Sequence, residues 1–355
     1  MSRTIPHSRP SVGPAEADAV RRVVLSGQLA QGPEVAAFES EVAAACHRRF
    51  GVAVSSGTAG LQLALLVLGI GPADQVLVPS YACTALLHAV RAAGAQALPV
   101  DVDRHTGNLD PRAARHLLGR RVRAVILPHM FGLPVPVEEV AALGVPLVED
   151  CAMSLGARHA GRPVGSFGPL SVCSFYATKM LATGEGGMVL MDEADLAEAV
   201  RGRREYDHLP AGTLRYNCKL TDMAAACGRV QLGRLPGFVE RRRALATRYD
   251  RALEGSGLAV PPPDPEHVYY RYVVGAGPAA PAALALLESR GVAARRPVAR
   301  PLHRELGLPD EAYPGTVAAC LGHVSVPLYP SLTEEEAAQV TAALGELAHT
   351  GREDG

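Results

Sequence analysis

Two side chains in the middle of this chain could together perform amine chemistry on a carbonyl carbon. Lys179 follows Ser174-Phe175-Tyr176-Ala177-Thr178 and precedes the glycine-rich Thr183-Gly184-Glu185-Gly186-Gly187. A lysine amine attacks an aldehyde only when its charged form is disfavoured, because its ordinary pKa of about 10.4 keeps it protonated. Phe175, Tyr176, Met180 and Leu181 around it supply an apolar setting in which that can happen. Asp150 closes the apolar run Val145–Val148. An ionised carboxylate buried at a strand end without a cationic partner would cost several kcal/mol or simply protonate. A pyridinium nitrogen is such a partner, so lysine and aspartate together point to pyridoxal phosphate: the amine forms a Schiff base, and the carboxylate keeps the electron-withdrawing ring protonated.

An anchored phosphate would complete that set. Ser55-Ser56-Gly57-Thr58-Ala59-Gly60 follows the apolar Val52–Val54 and opens a helical pattern. Free N–H groups at a helix start favour an anion, glycine permits close backbone approach, and the Ser56 or Thr58 hydroxyl can add a hydrogen bond. Ser174, five positions before Lys179, is a second candidate phosphate hydroxyl at a strand end. Each feature also has an ordinary reading: a capped strand–helix turn for Ser56–Gly60, a loop or helix cap for Asp150, a solvated surface amine for Lys179.

The elements that must position these groups are legible as alternating patterns. Short apolar runs at Val52–Val54, Gln75–Pro79, Gln96–Val100, Ala124–Leu127, Val145–Val148, Leu170–Phe175 and Met188–Met191 alternate with helical spacing such as Ala59–Leu68 and Thr84–Ala93. This predicts β–α units and a mostly parallel sheet sandwiched by helices, with ligands at the carboxyl ends of the strands. Residues 1–45, with helices over Ala15–Leu25 and Glu34–Ala45, form an N-terminal arm. A large ligand-binding domain follows over 46–235. A long helical stretch from Met223 to Leu253, interrupted at Pro236, leads into a small α+β C-terminal domain over 236–355, with strands at Tyr269–Val274 and Val324–Leu328 and helices at Ala282–Arg290 and Thr333–Leu347.

Composition narrows the partners. At 355 residues and 48% hydrophobic the chain can fill a large core and a second lobe. Lys+Arg of 35 against Asp+Glu of 36 gives a formal net charge of -1, which argues against nucleic acid or an anionic membrane as a partner. The seven cysteines (46, 83, 151, 173, 218, 227 and 320) are scattered without zinc-site spacing, so no metal is expected and a reducing compartment is. Neither a signal-peptide apolar region nor a run of ~18 apolar residues is present, and a cytoplasmic protein is expected.

Several motifs, in one order, resemble the DegT/DnrJ/EryC1/StrS family of pyridoxal-phosphate enzymes, often called sugar aminotransferases. They are Gly27-x-x-x-x-Gly32-Pro33 with Phe38-Glu39, Ser56-Gly57-Thr58-Ala59, Val78-Pro79-Ser80, Gly94-Ala95, Asp101-Val102-Asp103, Glu149-Asp150-Cys151-Ala152, Ser174-Phe175 with Lys179, Gly184-Glu185-Gly186-Gly187, and Asn217-Cys218-Lys219-Leu220 leading to Gln231-Leu232. The resemblance implies an aspartate-aminotransferase-like fold of type I and an obligate homodimer with shared active sites, in which the partner subunit's Asn217 reaches the phosphate held by Gly57, Thr58 and Ser174. It implies transfer of an amine from an amino acid donor, typically glutamate, to a keto-sugar or keto-cyclitol. Relatives that carry out dehydration replace the lysine with histidine, so Lys179 argues against that branch; a non-catalytic binding protein is a third reading. Two positions depart from the pattern: Cys83 stands where an aromatic residue commonly stacks on the ring, and Met153 where a glutamine or histidine lies near the ring hydroxyl. Tyr81 is an alternative source of ring contact, and Ser154 or a water an alternative to Met153. Ala299 stands in place of the family's tyrosine ahead of Pro301-Leu302-His303. Candidate substrate contacts are His129, Tyr216, His267, Tyr269, Tyr270, Arg271, Arg296 and His303.

Overall fold

A computed structural model describes residues 4–206 and 214–353; the first three residues of the amino-terminal stretch lie outside them. Two helices open the chain, α1 (Pro14–Ser26) and α2 (Pro33–Ala45). Then come β1 (Phe50–Val54), α3 (Gly57–Val67), β2 (Gln75–Pro79), α4 (Ala85–Ala92), β3 (Gln96–Val100), α5 (Pro111–His116), β4 (Val122–Pro128), α6 (Val137–Ala141) and β5 (Leu147–Asp150). A two-residue hairpin, β6 (Arg158–His159) and β7 (Arg162–Pro163), separates these from β8 (Leu170–Ser174), β9 (Gly187–Met191) and α7 (Ala194–Arg204).

Seven of these strands form one sheet in the order β1-β9-β8-β5-β4-β2-β3. From β8 to β3 all neighbours are parallel, whereas β9 runs antiparallel to both β8 and β1. Strands such as Val122-Arg123-Ala124-Val125-Ile126-Leu127-Pro128 read as near-continuous apolar runs because helices cover both faces. One face buries Val54, Leu63, Val76 and Ile126, and the other buries Phe38, Cys173, Met188 and Leu190. Phe38 of α2 meets Phe175 with ring centroids 5.0 Å apart, which anchors the N-terminal helices to the sheet.

The long helix α8 (Asp222–Ala252) begins at Thr221, whose hydroxyl accepts the Ala224 N–H. The break expected at Pro236 does not occur. Pro236 and Gly237 lie on the exposed face, where water can satisfy the carbonyl that loses its helical partner. Leu235 and Val239 pack with the sheet, whereas Leu245, Ala246 and Tyr249 belong to a second core. That core is closed by β10 (Tyr272–Gly275), α9 (Ala280–Ser289), β11 (His323–Val326) and α12 (Glu334–Glu353), with α10 (Leu302–Glu305) and α11 (Pro314–Gly322) between them. β10 and β11 pair antiparallel. Ile5 enters the same core through a bridge to Val292.

Candidate active site

The carboxyl ends of β4, β5 and β8 open on a cleft of ≈ 370 Å³, within the usual range for small-molecule sites. Ser56, Gly57, Thr58, Cys83, Asp150, Met153, Ser174 and Lys179 all line it. Residues between 56 and 179 in the sequence therefore meet around one space.

The phosphate end is built by contact between two loops. Ser56 caps α3, its hydroxyl accepting the Ala59 N–H at 3.1 Å. Gly57 follows, packed so closely on β8 that a Cβ there would sit 2.8 Å from the Ser174 Cβ and 3.2 Å from its Oγ. Only glycine leaves the helix N–H groups and the Ser174 hydroxyl facing the same space. This is the cradle an anion requires.

At the other end, strand alternation separates two adjacent buried acids. Glu149 points away from the cleft, where its Oε1 accepts N–H groups from Phe167 (2.6 Å) and Gly168 (2.9 Å) and its Oε2 accepts Gly165 N–H (2.7 Å). Burial would raise that carboxyl, but a hydrogen bond from His129 and these backbone donors hold it below its usual value. Asp150 faces the cleft with one hydrogen bond, from the Ala152 N–H at 2.9 Å, and burial pushes its carboxyl upward against the weaker pull of that bond and of Lys179. Among the described residues no cationic side chain lies within ion-pair distance of Asp150. A buried carboxylate short of a cation fits a pyridinium nitrogen.

Lys179 is held by a tight loop. Phe175 N–H donates to Gly186 O and Ala177 N–H to Gly184 O, both at 2.9 Å, and Lys179 N–H to Tyr176 O at 2.8 Å. Gly184 (φ +90°) supplies the left-handed backbone that closes it. The Lys179 Nζ lies 5.3 Å from the centroid of Tyr270, whose ring also walls the cleft.

Several sequence candidates belong elsewhere. His129 is fully buried: its Nδ1 accepts the Val135 N–H at 3.1 Å and its Nε2 faces Glu149 at 3.4 Å, so it supports the sheet rather than a substrate. His303 is also fully buried, between Ser80 Oγ (2.7 Å) and Asp310 (3.0 Å). His267 stacks on Tyr269 at 3.8 Å, and the Arg296 guanidinium donates to the Cys320 and Leu321 carbonyls. Tyr216 packs against the main core. Of that set Tyr270 lines the cleft, and Arg271 sits over its ring at 4.8 Å. Tyr81 does not line the cleft: it lies beyond the end of β2 at Pro79 and is fully buried, with its hydroxyl 3.1 Å from His323 Nδ1. Ser154 is fully buried and does not reach the cleft, so it does not replace Met153. Asn217 is exposed and does not line the cleft of its own chain, although Cys218 O beside it accepts the Ser55 N–H at 2.8 Å. Sequence reasoning missed Pro128 and Met130, which wall the cleft at the end of β4; the strand-end rule was the signal available for them.

These residues fit pyridoxal phosphate. Gly57, Thr58 and Ser174 would hold the phosphate, Asp150 the ring nitrogen and Lys179 the aldehyde carbon. The group would supply the electron sink for amine transfer.

Comparison with known proteins defines the class. The DegT/DnrJ/EryC1/StrS aminotransferase family model matches residues 10–345, and the chain belongs to that family. It is a pyridoxal-phosphate-dependent aminotransferase with the fold of type I. It is 38% identical over 275 residues to the dTDP-3-amino-3,4,6-trideoxy-alpha-D-glucose transaminase of Streptomyces venezuelae, covering 73% of this chain and 72% of that one. Among solved structures it is similar to the aminotransferase TlmJ from Streptoalloteichus hindustanus, with a TM-score of 0.90, 34% identity and coverage of 98% and 99%. It is also similar to S. venezuelae DesV, solved in complex with a ketimine intermediate, with a TM-score of 0.89, 33% identity and 94% of each chain covered.

Proposed function

We propose that this aminotransferase passes an amino group from an amino acid, glutamate before others, to a keto-sugar or keto-cyclitol in the biosynthesis of an amino sugar or related natural product. The observation that carries the reading is the convergence of Lys179, Asp150 and the Gly57–Ser174 cradle on one cleft, in a chain 38% identical to a sugar transaminase. Lys179 would bind the cofactor and, once released from it, move a proton at the substrate carbon. Asp150 would hold the ring-nitrogen proton. Loading the cofactor in its amine form and screening keto-sugars and inososes for return of the aldehyde-form absorbance tests the acceptor; glutamate should drive the reverse colour change.

The working unit is a homodimer with shared sites, in which the partner subunit's Asn217 completes the phosphate cradle. The exposure of Asn217 and its position beside Ser55 support this. Mixing Lys179→Ala with Asn217→Ala subunits tests it, because each mixed dimer would regain one intact site. Seven unpaired cysteines support a reducing compartment, the cytoplasm. Among the described residues no helix is long and apolar enough to cross a membrane.

A further inference from the structure

We propose that Tyr270 is a positioning residue for Lys179: its ring and phenol oxygen are the counterpart of a basic cluster, Lys179, Arg242 and Arg271, none of which forms an ion pair with a carboxylate among the described residues. The role rests on the catalytic reading of Lys179.

The cluster surrounds one ring. Lys179 Nζ and the Arg271 guanidinium stand 5.3 and 4.8 Å from the Tyr270 centroid. Arg271 Nη2 donates toward the phenol oxygen at 3.4 Å, and the Thr178 side chain hydrogen-bonds it. Arg242, from α8, is 4% exposed. Its Nη1 donates to the carbonyls of Tyr269, Tyr270 and Leu328, while its Nε has no partner. Among the described residues no Asp or Glu lies within ion-pair distance of Lys179, Arg242 or Arg271. A fully buried guanidinium without an anion is costly, so the nearest group able to become one is under pressure to do so.

Tyr270 is that group. The other charges nearby do not compete: Arg9, from the N-terminal segment, is neutralised by Glu336 at 2.6 Å, and His7, which reaches Arg271 at 3.3 Å, is held neutral by burial and by Arg271. Asp150 and Glu185 also line the cleft, but neither forms an ion pair with Lys179, and Asp150 feels that amine only weakly against its own burial. The tyrosines show the contrast. Burial raises Tyr81, Tyr249, Tyr272 and Tyr329. At Tyr270 burial acts in the same sense, but Lys179, Arg271, the Thr178 hydrogen bond and Arg242 outweigh it and bring the phenol down to about 8. The ring and its oxygen thereby hold the lysine amine at the cleft wall, ready to meet the cofactor aldehyde.

Alkaline titration of the full-length protein, as purified and after removal of its cofactor, reads the phenolate band directly. The cofactor-free wild type should ionise one tyrosine at about pH 8, ahead of the rest. Tyr270→Phe should lose that step, together with the limb of matching midpoint in the pH profile of kcat/KM. Lys179→Met should keep the step and move it upward by about one pH unit, because one of the stabilising cations is gone. A wild type with no early phenol, or an early step that Lys179→Met leaves in place, overturns the proposal. The Lys179→Met titration decides alone should Tyr270→Phe not fold. Failure of the catalytic reading is a separate outcome: absence of covalent cofactor on Lys179 with the early phenol still present.

Discussion

Replacing Asp150 by asparagine changes the charge at the ring-nitrogen end of the site and little else. The carboxylate is 6% exposed and receives one protein hydrogen bond, from the Ala152 N–H at 2.9 Å, which an asparagine carbonyl can equally accept. Shape and local backbone should therefore survive, with Tm close to the wild type. The lost interaction is a charge-assisted hydrogen bond to a pyridinium in a buried site, worth ~1.5–3 kcal/mol, and removing one member of a buried pair raises the loss toward ~3–5 kcal/mol. At ~1.4 kcal/mol per tenfold, kcat should fall by roughly 10- to 1,000-fold or more. Steady-state transamination with glutamate and the accepted keto-sugar measures this, and circular dichroism confirms the fold. A variant within twofold of the wild type, with cofactor bound, would refute the role drawn for the carboxylate.

Other substitutions separate the remaining parts of the site. Lys179→Ala should still bind cofactor through the phosphate cradle while losing turnover by ~10²–10⁴-fold or more; full residual activity would remove the lysine from the reaction. Gly57→Ala places a Cβ 2.8 Å from the Ser174 Cβ and should cost ~1–3 kcal/mol and weaken cofactor binding, whereas Gly71→Ala, with no atom within 4 Å, should do neither. Equal cofactor affinities for those two variants would argue against the cradle. Acid should destabilise the protein as pH falls below about 6.5, because burial holds His7 down to about 3, and His267 and His323 each down to about 4. Their folded values are depressed, so the unfolded chain takes up protons first, and stability present above pH ~6.5 is lost toward pH ~4 by up to ~1.4 kcal/mol per unit for each histidine. Chemical denaturation across that range would show a flat profile if the histidines titrated normally.

Much of the sheet was legible in the sequence. Gln75–Pro79 and Gln96–Val100 match their strands to the residue, because each is an apolar run bounded by turn residues. Val145–Val148 was displaced by two positions from the observed Leu147–Asp150. The error lies with Glu149 and Asp150, acids that hydropathy leaves out of the apolar run: long-range backbone donors keep Glu149 inside the sheet, and pairing with Pro128 and Val172 keeps Asp150 there. Asp150, Ser174 and the Ser56–Thr58 turn were legible for a different reason: each combines a special residue type with a strand end, a pattern that survives without knowledge of packing, whereas Lys179 was read from its loop and Cys83 and Met153 only from the family resemblance. Histidines defeated the same approach. His303 is paired with Ser80 and His129 with Val135 and Glu149, partners that only the folded chain brings together. Helix α7 escaped notice because its arginine-rich sequence carries little apolar periodicity.

Borohydride reduction of the purified protein, followed by peptide mass spectrometry, bears most directly on whether Lys179 and Asp150 serve a single cofactor. The expected result is one pyridoxyl group on Lys179, with the label retained in Asp150→Asn but the cofactor absorbance altered as the ring nitrogen loses its proton. Label on another lysine, no label at all, or a spectrum that Asp150→Asn leaves unchanged would contradict it.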